Sequence, residues 1–240
     1  FGPPVRLEVA ASISDHMLIP TGRPVAKALG QQFKYQVLAV TNVGKDKVPS
    51  IKFKVTKPDG TAYDIVTDKA FTTSGASLNI NVAWDAATDI TNAKSDGTEP
   101  GLRSNSTPRR SAYTLQMNIQ QIRAAATTAG QAADGSYTIP YFTALPVATT
   151  DVMVVMDGHP KGLPPGETDW AMSVNAWARN DQYYTGAARP RLVTQAKCEN
   201  CHNLLSFHGA NRNGDPQGCV VWGNSGGGCD DDGVGRIAMG

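Results

Sequence analysis

Apolar and polar residues alternate in short runs along most of positions 1–190. Val5-Arg6-Leu7-Glu8-Val9 alternates in the way that gives a strand one buried and one wet face. Tyr35-Gln36-Val37-Leu38-Ala39-Val40 predicts a second strand. Ile51-Lys52-Phe53-Lys54-Val55 alternates strictly, and Pro58-Asp59-Gly60 closes it with turn chemistry. Residues 63–65 are expected to return as its hairpin partner. Positions 78–84 alternate again, 113–118 predict a strand, and 119–126 a short helix. Further strands are expected at 136–139, 152–156 and 173–178. The stretch 85–111 is polar and rich in Gly, Pro, Ser and Asn, which predicts a long loop. Asn105-Ser106-Thr107 within it fits the short glycosylation pattern, a match that arises often by chance. Trp84, Trp170 and Trp177 read as core or rim aromatics, and Met153 and Met156 as packing residues.

Seven or more short strands separated by turns predict a mainly β fold: an Ig-like or Greek-key β-sandwich or split barrel. Composition supports this and narrows the function. Among 240 residues, 24 Gly and 15 Pro favour turns over a helical bundle. Hydrophobic residues at 40% suffice for a core, with charged residues at 18%. A net charge of +1 argues against a nucleic-acid partner. No apolar run is long enough for a transmembrane segment. The opening Phe1-Gly2-Pro3-Pro4 lacks the charged and apolar regions of a leader, so a removed leader or a trimmed start is expected.

All four cysteines fall after position 197, in a segment rich in Gly and Asn. This predicts two parts: a β domain over 1–190 and a short, mostly irregular segment over 191–240. Cys198-Glu199-Asn200-Cys201-His202 is a C-x-x-C-H. Two thiols at this spacing can add to the two vinyl groups of a haem, and the adjacent imidazole then lies under the iron. A zinc site completed by Cys219 and Cys229 is a competing reading, at unusual spacing. A redox dithiol is another, although the expected βαβ setting is absent.

Arg191-Leu192-Val193-Thr194-Gln195-Ala196-Lys197 leads into the motif, and Asn203-Leu204-Leu205-Ser206-Phe207-His208-Gly209-Ala210-Asn211-Arg212 follows it. Asp215-Pro216-Gln217 and Cys219-Val220-Val221 come next. This run resembles the first haem segment of the outer-membrane decahaem cytochromes of the OmcA/MtrC family. The layout ahead of it, with Asp59-Gly60 after an alternating strand and the stretch 154–160, is similar to that family's N-terminal Greek-key β domain. The resemblance implies an extracytoplasmic electron conduit at the cell surface or outer membrane, or secreted. It implies partners among other cytochromes or copies of the chain, and extracellular electron acceptors. The family pattern places a second C-x-x-C-H at Cys219, but Trp222 and Gly223 stand where its second cysteine and histidine belong. One covalent haem c is therefore expected, held by Cys198, Cys201 and His202. The end at Gly240 is read as a natural short form, a truncation or an altered form.

The resemblance makes His208 a candidate distal ligand of the haem iron. Six helical residues would separate it from His202 by only about 9 Å, so reaching the opposite face of the same haem requires a detour. A ligand from a neighbouring copy or a lost segment, His16 or His159, or an open iron remain alternatives; His159 otherwise reads as an exposed turn residue. Cys219 and Cys229 can close a disulfide in an oxidising compartment, free thiols being the alternative. Asp230-Asp231-Asp232-Gly233 offers oxygen ligands to calcium, or a solvated turn. The expected role is electron transfer through one haem and not enzymatic conversion, since nothing marks a distal acid–base residue. The other expected class is a structural or assembly β module, a filament or adhesion subunit with a vestigial haem segment.

Overall fold

The computed structural model describes residues 22–84, 115–145, 150–188, 204, 206–207 and 212–214. The fold is mainly β, with antiparallel sheets and few helices, as expected. Helix α1 (Gly22–Gly30) leads into β1 (Lys34–Thr41) and β2 (Ser50–Thr56). A single turn, α2 (Lys69–Thr72), precedes β3 (Asn79–Trp84). Then come β4 (Leu115–Met117), α3 (Ile119–Ala129), β5 (Tyr137–Pro140) and β6 (Val152–Asp157). The short β7 (Lys161–Gly162) and β8 (Val174–Asn175) pair with each other, and β9 (Asp181–Tyr184) follows. The hairpin β10 (Ser206–Phe207) and β11 (Arg212–Asn213) belongs to the C-terminal segment.

Two sheets share one hydrophobic core. The three-stranded sheet runs β1-β2-β5 and the four-stranded sheet β4-β3-β6-β9, with antiparallel neighbours throughout. On β2 the lysines at 52 and 54 are partly exposed while Ile51, Phe53 and Val55 are buried, as strict alternation dictates. On β1 a bulge lies between Val37 and Ala39. The extra residue shifts the inward face by one, so Val37 opposes Phe53 and Val40 opposes Ile51. Helix α3 starts with a capping box: Asn118 accepts from the Gln121 N–H, and the Gln121 side chain accepts from the Asn118 N–H. The helix buries Ile119, Ile122 and Ala126 in the common core.

Two strand expectations change. Residues 63–65 form no strand; Thr56 and Ala62 make one isolated bridge, and the chain then turns. Asp64 organises that turn, accepting from the Val66 N–H and the Thr67 hydroxyl. The run 173–178 keeps only Val174–Asn175 as strand. The expected strand at 5–9, the loop 85–111 and Asn105 lie outside the described residues. Trp84, Met153 and Met156 are fully buried, while Trp170 and Trp177 are half-buried, as core and rim readings expect.

Candidate functional site

Cys198, Cys201, His202, His208, Cys219 and Cys229 lie outside the described residues, as do His16 and Asp230, Asp231 and Asp232. Among the described residues, no group of three or more His, Cys, Asp or Glu is placed to hold a metal ion. No helix among them is long and apolar enough to cross a membrane. His159 is described. It is half-buried rather than an exposed turn residue: its backbone N–H donates to Ser77 Oγ at 2.9 Å, and its carbonyl accepts from the Ser77 N–H. Burial lowers its pKa from the ordinary value.

The described parts of the C-terminal segment are held against the β unit. The holding piece is the stretch 177–181, which reaches in three directions. The Trp177 N–H donates to the Ala26 carbonyl of α1 at 2.9 Å. A side chain at Gly30 would run into the Trp177 carbonyl, so helix and stretch approach this closely only because residue 30 is glycine. Arg179 forms parallel bridges to Lys34 on one side and Asn213 on the other. The Asn180 N–H donates to the Asn213 carbonyl at 2.8 Å, and Asn213 Nδ2 donates to the Ala178 carbonyl at 3.2 Å. Asn213 is itself buried, so the hairpin is seated rather than merely adjacent. Finally, Asp181 Oδ2 accepts from the Val37 N–H at 2.7 Å and joins the edges of the two sheets.

These contacts border a cleft of about 670 Å³. Its lining includes Lys27 of α1, Lys34 of β1, Trp177, Arg179, Asp181 and, from the C-terminal segment, Leu204. Three cations thus face one carboxylate, and that carboxylate is engaged by a backbone donor. Burial pushes the Asp181 carboxyl above the ordinary range, while the Val37 N–H and the Lys34 charge pull the other way. A cleft lined by more cationic than anionic side chains suits a group that carries anionic substituents.

Sequence reasoning missed this cleft. The strand at 181–184 and the helix at 22–30 were not expected, although Val25, Ala26 and Leu29 recur at helical spacing. No sequence signal marks Asn213 as the seat of the hairpin.

No family profile and no curated protein matches the chain. Solved structures that resemble it include the following two. MtrC from Shewanella baltica OS185 is 15% identical, with a TM-score of 0.48, over 89% of this chain and 38% of that one. The outer membrane decahaem cytochrome OmcA is 15% identical, with a TM-score of 0.43, over 81% of this chain and 30% of that one. The chain therefore spans less than two fifths of the length of either. The likeness lies in the fold and assigns nothing to individual residues.

Proposed function

We propose that the chain is an extracytoplasmic c-type cytochrome that carries one haem and passes single electrons without transforming a substrate. Cys198 and Cys201 hold the haem by thioethers, His202 is the proximal ligand, and His208 is the candidate distal ligand. Bound in this way, a haem supplies a one-electron ferric–ferrous couple whose potential the protein tunes through ligation, burial and nearby charge. The observation that carries this reading joins sequence to geometry: Leu204, two residues after the C-x-x-C-H, lines a cationic cleft on the β unit. The donor set there fits the anionic edge of a haem. Electrons then pass to other cytochromes, further copies of the chain or extracellular acceptors, at the cell surface or after secretion.

The test is the mass of the full chain produced in cells that attach haem c. Under denaturing conditions it should exceed the polypeptide by one haem. A bare polypeptide, or two haems, would sink the proposal. Cys201→Ala should leave a single thioether link, and His202→Ala should keep covalent haem with an altered absorption spectrum.

A further inference from the structure

We infer that Asn213 is a deamidation site protected by the seating of its hairpin, and that its conversion unseats the hairpin irreversibly. Asn213-Gly214 is the one Asn-Gly pair in the chain. Glycine has no side chain to shield its nitrogen, so such a pair cyclises readily wherever the backbone is free to turn. The Gly214 nitrogen bonds to Asn213 Cγ, its proton passes through water to the side-chain amide, and the bond from Cγ to that amide breaks with loss of ammonia. Water then opens the cyclic imide at one carbonyl or the other, giving aspartate or isoaspartate. Neither an oxidant nor a reductant is needed.

The fold opposes the first step. Asn213 ends β11, and both it and Gly214 are buried. In a strand the side chain stands out of the pleat while the next peptide runs along it, so Cγ and the Gly214 nitrogen are not aligned for attack. The side-chain amide is also engaged: Nδ2 donates to the Ala178 carbonyl at 3.2 Å, while the Asn213 carbonyl accepts from the Asn180 N–H at 2.8 Å. Cyclisation therefore waits for the hairpin to lift from the stretch 177–181. The product cannot regain the same seat. Aspartate sets an oxygen where Nδ2 met the Ala178 carbonyl, and a carboxylate brought into that buried place gives up its water without that bond in return. Isoaspartate also lengthens the main chain by one carbon, which disturbs the pairing of Ser206 with Asn213.

Peptide mapping by mass spectrometry of the full chain, held at mildly alkaline pH, measures conversion at Asn213. It should run at least about tenfold slower in the native chain than in the same chain unfolded in guanidinium chloride, because only the open fraction reacts. Equal rates overturn the inference. Asn213→Asp supplies one product directly. In that variant the Asn180 amide should exchange with deuterium at least about tenfold faster than in the parent, while the amides of β2 and β6 stay protected. Asn213→Ala removes the donor without adding charge, so it should release the Asn180 amide less than Asn213→Asp does. An Asn213→Asp chain that keeps the Asn180 amide protected overturns the inference, and equal release by the two variants overturns the role given to the new charge. If Asn213→Asp does not fold, the converted fraction of aged parent chain, separated by ion exchange, takes its place. Full protection of the Asn180 amide in that fraction is equally fatal.

Discussion

The two sheets of the β unit solve different problems with similar sequence patterns. The three-stranded sheet keeps one wet face, where Lys52 and Lys54 of β2 stand beside Thr138 and Pro140 of β5. In the four-stranded sheet every residue of β3 and β6 is buried. One face of that pair, with Ile80, Val82, Val152 and Val154, belongs to the common core. The other carries Asn79, Asn81 and Asp157, also buried. Asn79 Nδ2 and Asn81 Nδ2 donate to the two carboxylate oxygens of Asp157 at 2.8 and 3.0 Å. A polar position in an alternating strand therefore signals solvent in one sheet and a buried hydrogen-bond network in the other. Asparagine tolerates burial here because its amide donors meet the carboxylate oxygens of Asp157.

The sharpest test of this contrast is Asp157→Ala. It leaves two buried amide donors short of their acceptor, at about 1–3 kcal/mol each, so urea unfolding should show a loss of about 2–6 kcal/mol. A loss under about 0.5 kcal/mol would mean that this face of the sheet is wet after all. Asn118→Ala removes the cap of α3, the helix that packs on β5 of one sheet and β3 of the other. It should cost about 1 kcal/mol in the same assay. A cost near zero would place the helix outside the cooperative unit.

His159, two residues beyond Asp157, gives the contrast a pH dependence. Its folded pKa lies below its ordinary value because of burial, so the unfolded chain takes up the proton first. Its stabilising contribution is present in full above about pH 6.5 and is lost as pH falls through the lower, folded value. Stability should therefore fall less between pH 7.5 and 5.5 in His159→Gln than in the parent chain. Equal slopes would remove His159 from the acid response. The smallest effect is expected on the wet face: Lys54→Ala should change stability by no more than about 0.5 kcal/mol.

The strands with strict alternation or continuous apolar runs were legible in the sequence, because a pleated chain turns successive residues to opposite faces. β2 and β6 are examples. The partner of Asn79 and Asn81 was not legible: Asp157 lies 78 and 76 positions away, and only the pairing of β3 with β6 brings the three together. Asp64 hid its role in a similar way, since the turn it builds replaced an expected hairpin return. The C-x-x-C-H is a local pattern of five consecutive residues, and it lies outside the described residues. The cleft was not legible, because Lys27, Lys34, Arg179 and Leu204 come together only through the fold.

The hydrogen bond from the Val37 N–H to Asp181 spans 144 positions. A ribosome adds about 5–20 residues per second, so the edge of β1 exists for roughly 7–30 s before its partner has been made. Through that interval an incomplete edge is open to pairing with another nascent chain. The length of the exposure is set by where Asp181 stands in the order of synthesis, whatever the strength of the bond it finally makes. Slower translation upstream of that residue should therefore lower the yield of native protein, and a chaperone that shields unpaired strands should restore it.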